Sequence, residues 1–380
     1  MKILHVITGL STGGAERALF TLLSGGLANR LDNTVVSLGG RGTMGSRIEE
    51  LGVPVYALEM RSCIPWPRVL LQLRRIVRAF DPDVIQGWMY HGNLAATAAS
   101  RMGRVHARVV WNIRHSLYDL KAEKYLTRYV IQANRFFSGQ ADTLIYNSRL
   151  SKKQHETYGF VHTRSRIIPN GFDMKQLRSQ PDVGLAVRHE FAIPYNTLVV
   201  GHVARFHPVK DHALFLKAAV QTARTAPNTH FLLVGREVWP DNPLLSNIVP
   251  ANLMDRFHFA GERMDVDRLM QAMDIFCLSS WSEAFPNVLG EAMATQVPCV
   301  ATDVGDSADI VGDTGIIVPP KNQNALTEGL LRLLTMSVDA LSALGELARK
   351  RIAHRYALPA IATRYINLYK KVYDDLGDAF

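Results

Sequence analysis

The chain has 380 residues, 47% of them hydrophobic, enough to bury more than one core and to favour two or three domains over one. Its longest apolar runs fall short of a membrane span, and Cys63, Cys277 and Cys299 are too few and too scattered for a disulfide framework or a metal-ligand cluster, the usage of a reduced cytosolic protein. The net charge of +9 is uneven: residues 1 to 180 hold 25 Lys/Arg against 12 Asp/Glu, net +13, whereas residues 181 to 380 hold 18 against 22, net −4.

The strongly basic first half is expected to meet something anionic, a phosphate or a lipid headgroup. Nucleic acid is set aside, because no zinc finger, RNP-type aromatic string or basic-zipper heptad is present.

Met1 to Leu10 (MKILHVITGL) reads as a first buried strand, since no small-residue cleavage site follows its short apolar stretch. Strands are then expected at Ile3 to Ile7, Thr34 to Leu38, Val84 to Gln86, Arg108 to Ile113 and Thr143 to Tyr146, with helix-length segments between them. The alternation resumes at Leu198 to Val203, Phe231 to Val234, Phe257 to Phe259, Ile275 to Leu278 and Val297 to Ala301. This is the α/β pattern of two doubly wound, Rossmann-like domains. The polar stretch Lys175 to Asn196, with Pro181 and Pro194, is expected to link them. Tyr356 to Tyr373 has the spacing of an amphipathic helix, with Tyr365, Leu368, Tyr369 and Val372 on one face. The division expected is 1–178 for the first domain, 179–355 for the second and 356–380 for a final helix.

In open α/β sheets ligands bind outside the carboxyl ends of the strands. The most informative such place is Ser282 to Ala294 (SEAFPNVLGEAMA), after the strand-like run DIFCLS. Pro286 suits the first turn of a helix, which puts Glu283 in the loop and Glu291 inside the helix. The amides near Asn287 and Val288 then present unpaired N–H groups and a positive dipole end to a pyrophosphate. Arg205 and Lys210 follow the first strand of the second domain, where a guanidinium grips two phosphate oxygens and an ammonium adds a point charge. A basic pair after a strand is by itself commonly a solvated loop, and two acids eight apart are common by chance.

Gly13 and Gly14 (GLSTGGAER) lie between the first strand and a helix beginning near Ala15, where small residues allow close backbone approach; the string lacks G-x-G-x-x-G, which sets a nicotinamide oxidoreductase aside. His115 ends VVWNIRHS and His91 follows VIQGWMY, both after strands of the first domain; a lone histidine is more often structural. Asp81-Pro82-Asp83 precedes a strand and Asp265-Val266-Asp267 opens a helix, so neither D-x-D string is expected to hold a metal. Lys121, Lys124, Arg128 and Arg135 recur at helical spacing among Tyr125, Tyr129, Phe136 and Phe137, and Pro65 to Arg78 carries Trp66, Arg68, Arg74, Arg75 and Arg78. Such stripes are ordinarily solvated faces; two of them in the basic half suit a peripheral seat on an anionic membrane.

The string Ser282 to Ala294 resembles the donor-site signature of the retaining family 4 glycosyltransferases, which have two Rossmann-like domains facing across a cleft (the GT-B fold). Gly13-Gly14-Ala15-Glu16-Arg17, Ile168-Pro169-Asn170-Gly171-Phe172-Asp173 and Val203-Ala204-Arg205 with Lys210-Asp211 match in order, over nearly all of the chain. The resemblance implies a metal-independent, retaining hexosyltransferase with no cofactor. It takes a UDP- or GDP-sugar and a hydroxyl acceptor on a lipid-linked glycan or surface-polysaccharide intermediate, in the cytoplasm or on the inner face of the membrane. It assigns catalysis to Glu283, His115, Arg205 and Lys210. Donor binding falls to Gly14, Arg205, Lys210, Glu283, Ala284, Phe285, Asn287, Val288, Glu291 and Arg263, with Arg236 near the base, and the acceptor side to His91 and Asn170. It also implies that the final helix crosses back onto the first domain. Ala284 stands where the family usually has glycine, which leaves the donor pose open. Two other readings share the fold, a silent subunit that binds a nucleotide-sugar or glycan and a nonhydrolysing nucleotide-sugar epimerase.

Overall fold

A computed structural model describes residues 1–11, 13–60, 66–103, 106–118, 120, 124–245 and 247–375. Cys63, Pro65 and Lys121, and the side chain of Trp66, lie outside the described residues. The chain divides into two compact units, Met1–Gly171 with Leu358–Phe380, and Phe172–Ala357.

The first unit holds a seven-stranded sheet made of β1 (Lys2–Ile7), β2 (Asp32–Ser37), β3 (Val55–Ala57), β4 (Val84–Trp88), β5 (Arg108–Ile113), β6 (Thr143–Tyr146) and β7 (Ser165–Ile167). The spatial order is β3-β2-β1-β4-β5-β6-β7 and all described pairings are parallel. Strands such as KILHVI are apolar on both faces because helices cover both. Ile3 and Ile7 face a core with Leu19 and Leu22 of the helix Gly14–Leu22 and with Ile361, Tyr365 and Tyr369 of the helix Leu358–Asp374. Leu4 and Val6 face the opposite core, with Val69, Leu73 and Val77 of the helix Trp66–Phe80 and Ala95, Ala96 and Ala99 of the helix Met89–Gly103.

The second unit holds a six-stranded sheet made of β8 (Leu198–Val203), β9 (Thr229–Val234), β10 (Phe257–Gly261), β11 (Ile275–Leu278), β12 (Cys299–Thr302) and β13 (Gly315–Val318), in the order β10-β9-β8-β11-β12-β13. It too is parallel and covered on both faces. In each sheet the strand order reverses beside the first strand of the unit, between β1 and β4 and between β8 and β11. Such a reversal opens a crevice at the carboxyl ends of the strands.

Three details differ from the sequence reading. The short strands β3, β7 and β13 are additional, and the expected linker contains a helix, Pro181–Glu190, with Pro181 in its first turn. That helix belongs to the second unit: Val187 is buried, and Arg188 bonds Asp274 at 2.7 Å and the carbonyl of Ala272. Pro286 takes the N-cap, with φ −75° and ψ 96°, so the helix begins one residue later, at Asn287.

Candidate active site

In the second unit the segment leaving β8 is shaped by local capping. The His207 ring accepts from the amide of Val209, and Pro208–Lys210 forms a single tight turn. Asp211, in the left-handed region at φ 48°, caps the helix His212–Thr225 by accepting from the amide of Leu214 at 3.1 Å. The segment leaving β11 is laced to this turn. Ser279 Oγ donates to the carbonyls of Lys210 (2.8 Å) and Asp211 (3.1 Å), and Trp281 donates its amide to Val209 and its indole N–H to Pro208, both at 2.9 Å.

This lacing brings together two residues 73 positions apart. Lys210 Nζ lies 2.5 Å from Glu283 Oε1, and Ser280 Oγ donates to the same oxygen at 2.7 Å. Thr302, at the end of β12, holds Ser280 by donating to its carbonyl at 2.5 Å. The side chains of Lys210 and Glu283 keep 22% and 12% of their exposure, so the pair is largely desolvated yet open on one side. A pair so placed depends on both partners, because removing one strands the other charge. Arg205 projects into solvent from the same segment, and its charge and that of Lys210 add to burial in holding the His207 ring below the usual histidine range.

Behind Lys210, His202 and His212 meet edge to face at 4.9 Å. His202 Nδ1 donates to the carbonyl of Cys277 at 3.0 Å and His212 Nε2 to that of Ala204 at 3.2 Å. Burial pushes them down to about 3 and about 4, with Lys210 adding to the shift, so both are neutral.

Phe285 anchors the following loop. Its ring stacks on Phe172 at 6.3 Å and meets Tyr356 edge-on at 5.7 Å. Gly290 is required here, since a Cβ would come within 2.0 Å of the Phe172 ring. Gly305 is required too: at φ +58° it sits beneath the Ala284 carbonyl, where a Cβ would approach to 2.4 Å. Ala284 itself lies outside the left-handed region, so its methyl group strains no backbone. Asn287 and Val288 open the helix Asn287–Ala294, and Glu291 follows one turn later, all three partly exposed.

Arg263 is held in an ion-pair network of its own. Its guanidinium grips both oxygens of Asp265 at 2.8 Å and Glu190 at 2.9 Å, and Arg268 joins through the same two acids. The network holds Arg263 above and Asp265 below their ordinary ranges, chiefly through their mutual hydrogen bonds. Arg236 is exposed beside Glu237. The other D-x-D string is also engaged, as Asp83 accepts from the amide of Lys2 at 2.7 Å. Among the described residues no group of three or more His, Cys, Asp or Glu is placed to hold a metal. A recess of about 470 Å³ lies after β8 and β9, lined by Phe206, Glu237, Trp239, Asp241, Asn242, Pro243 and Leu244.

In the first unit, a Cβ at Gly14 would meet none of the described residues within 4 Å, so none of them demands glycine there, whereas one at Gly13 would strike the Glu16 carboxylate at 2.2 Å. His91 lies on the helix after β4, partly buried, and burial lowers its pKa. His115 follows β5, with Tyr90 Oη 3.3 Å from its Nδ1. Asn170 accepts from the Arg114 guanidinium, which packs 5.6 Å over the Trp88 ring and reaches Tyr365 Oη at 3.4 Å. Arg114, Tyr90 and the lacing serines Ser279 and Ser280 escaped the sequence reading. The polar run SSWSEAF directly after a strand was the one available signal for the serines.

Two family models match, "Glycosyltransferase Family 4" over residues 12–176 and "Glycosyl transferases group 1" over residues 197–336. The chain belongs to the family 4 glycosyltransferases and has their GT-B type of two-domain α/β fold. Among its relatives, EpsF of Bacillus subtilis, named as a glycosyltransferase, is 32% identical over 37% of this chain and 36% of its own length. The UDP-Gal:alpha-D-GlcNAc-diphosphoundecaprenol alpha-1,3-galactosyltransferase of Escherichia coli is 23% identical over 53% of each. The chain thus spans between a third and about half of these curated relatives. The crystal structure of HepE from Anabaena, solved with UDP, superposes with a TM-score of 0.84 at 22% identity, covering 98% of this chain and all of HepE.

Proposed function

We propose that the protein is a retaining, metal-independent transferase that moves a sugar from a nucleoside-diphosphate donor to a hydroxyl of a lipid-linked glycan or surface-polysaccharide intermediate. The observation that carries this reading is the Lys210–Glu283 pair at the carboxyl ends of β8 and β11, with the exposed Arg205 on the same segment as Lys210. In the reaction the bond from the anomeric carbon to the diphosphate breaks and the acceptor oxygen bonds that carbon on the same face. The acceptor's proton passes to the departing phosphate. Fixed charge from Arg205 and Lys210, with the amides of Asn287 and Val288, stabilises the negative charge that develops, the task a metal ion performs elsewhere. Both bonds to Glu283 fall on Oε1, which directs Oε2 to a hydroxyl of the donor sugar. Glu291 receives the ribose, and the recess beside Phe206 and Trp239 offers flat apolar walls to the base. The open space at Gly14 suits close approach of a phosphate, and His115 orients a sugar hydroxyl. The name of the Escherichia coli relative supports a lipid-diphosphate acceptor, and the HepE complexes with UDP and UDP-glucose support a uridine donor.

The reading includes a peripheral membrane seat. Along the helix Tyr125–Phe137 the solvent face carries Tyr125 (67% exposed), Tyr129 (52%) and Phe136 (80%), with Leu126 (77%) to one side and Arg128 and Arg135 to the other. Aromatic rings beside cations suit an anionic lipid surface, where each cation near the surface contributes about 1 kcal/mol. No helix among the described residues is long and apolar enough to cross a membrane.

The deciding experiment incubates the purified protein with a panel of nucleotide-sugars, with and without EDTA, and follows nucleoside diphosphate release and the anomeric configuration of the product by NMR. Release from one donor, unaffected by EDTA and with retained configuration, supports the reading. Failure of every donor to bind the folded protein would refute it.

A further inference from the structure

We propose that Ser280 and Thr302 are positioning residues that aim the Glu283 carboxylate, and that through it they set the discrimination between donor sugars differing at one hydroxyl. The inference rests on the reading that Glu283 meets the donor sugar. Two unlike contacts meet at Oε1 of Glu283, the Lys210 ammonium at 2.5 Å and the Ser280 hydroxyl at 2.7 Å. Lys210 reaches it on a flexible four-carbon stem, and its ammonium is a compact point charge with rotatable donors. Such a partner attracts the carboxylate without fixing the plane in which it lies. Ser280 reaches the same oxygen on a one-carbon stem from a fully buried residue. Its hydroxyl supplies the direction that the ion pair lacks.

The backbone that carries this hydroxyl is itself tied down. β11 and β12 pair through Cys277 with Val300 and Leu278 with Ala301, and Thr302 is the next residue of β12, level with the chain as it leaves β11. Fully buried there, Thr302 donates its hydroxyl to the Ser280 carbonyl at 2.5 Å. The neighbouring Ser279 turns the other way, to the carbonyls of Lys210 and Asp211. The loop beyond is held on both sides of Glu283: the Trp281 amide donates to the Val209 carbonyl at 2.9 Å, and the Ala284 carbonyl accepts from the amide of Asp306 at 3.2 Å. With the backbone pinned at 281 and 284, the side chain of Glu283 is the part that has to be aimed.

Aim matters because epimeric donors carry the same diphosphate and the same charge. Fixed cations serve both alike, whereas a carboxylate held in one direction accepts from a hydroxyl of one configuration and leaves the other unpaired. Charge at this site therefore promotes departure, and direction tells sugars apart. Neither Ser280 nor Thr302 touches the donor in this scheme. They act through Glu283, as outer partners hold a functional group in its productive orientation.

The test has a structural arm and a kinetic arm. Ligand-free crystal structures are determined for the parent, Ser280→Ala, Thr302→Val, which keeps the shape of the side chain, and Thr302→Ser, which keeps the hydroxyl. In Ser280→Ala the carboxylate is expected to stay on Lys210 but to turn from its parent direction. In Thr302→Val the Ser280–Glu283 bond is expected to break, and in Thr302→Ser to persist. A Glu283 carboxylate unmoved in Ser280→Ala overturns the proposal, and an intact Ser280 bond in Thr302→Val removes Thr302 from it. This arm needs no substrate, so it decides the hydrogen-bond chain even if the transferase reading fails. The kinetic arm compares kcat/KM for the donor that the nucleotide-sugar panel identifies with that for its epimer at each ring hydroxyl. Ser280→Ala and Thr302→Val are expected to lower the value for the preferred donor about tenfold and to change that for one epimer little, so their ratio collapses, while Thr302→Ser restores it. A merely structural role would lower both donors alike, and an unchanged ratio with a turned carboxylate would overturn the positioning role.

Discussion

The two units carry their polar chemistry in opposite ways. At the strand ends of the second unit the recognised groups are charged and partly open: Lys210 on Glu283, with the exposed Arg205 on the same segment as Lys210. In the first unit they are largely neutral and buried: His155 on Tyr90, Asn112 Nδ2 on Tyr365 Oη at 3.0 Å, Tyr369 Oη on Gln86, and His5 between Asn33 and Trp88. Fixed charge suits a group that gains charge as it departs, whereas neutral directional bonds suit the placing of hydroxyls. The difference predicts that damage to the second unit's cluster will appear in catalysis, and damage to the first unit's network in stability and orientation.

The largest effect is expected from Lys210→Ala or Glu283→Ala. Each should lower transfer by about 10²- to 10³-fold, the scale for removing a group that stabilises developing charge, while the circular dichroism spectrum is preserved. Near-normal turnover in either variant would break the comparison at its stronger end. Next, Tyr369→Phe should destabilise the first unit by about 1 to 3 kcal/mol in urea titration, because the buried Gln86 loses its acceptor's only described partner.

A third expectation concerns acid. His5 and His155 in the first unit and His202 and His212 in the second are all depressed by burial, to about 4, 4, 3 and 4, from an unfolded value of 6.5. The unfolded chain therefore binds more protons than the native one as pH falls from 6.5 toward 4, so stability must decline across that window. The slope is at most about 1.4 kcal/mol per pH unit for each histidine. A urea midpoint constant from pH 7 to pH 5 would contradict the neutral assignment in both units. The smallest effect is expected from Phe136→Ser on the exposed helix face, within about 0.5 kcal/mol in stability. Its consequence should appear only in co-sedimentation with anionic vesicles, which weakens while binding to neutral vesicles stays negligible.

What the sequence made legible follows the same division. Strands buried on both faces, such as LVVGHV and RVVWNI, declare themselves as largely apolar runs, so most of each sheet was readable. VYA and SRI, at the edges of the first sheet, are too short to show any period, and the helix Pro181–Glu190 has the polarity of a linker with only Val187 to betray it. Arg205, Lys210, Glu283 and Glu291 were legible because charged residues after a strand stand out. The direct contact of Lys210 with Glu283 was not, because it depends on Ser279 and Trp281 sewing two distant segments together. Tyr90 and His155 were silent for a related reason. A neutral hydrogen bond between residues 65 positions apart leaves no mark in composition or spacing.

The helix Leu358–Asp374 closes a core that begins with β1, although every residue of the second unit is synthesised between them. While the chain leaves the ribosome, the second unit is continuous and can complete its fold as soon as it emerges. The first must wait with Ile3, Leu19, Trp88 and their neighbours uncovered until Ile361, Tyr365 and Tyr369 arrive. The order of maturation is thus the reverse of the order of translation. The interval of exposed apolar surface is when a holding chaperone would be needed, and a ribosome stalled before Leu358 should carry a finished second unit and an unfinished first.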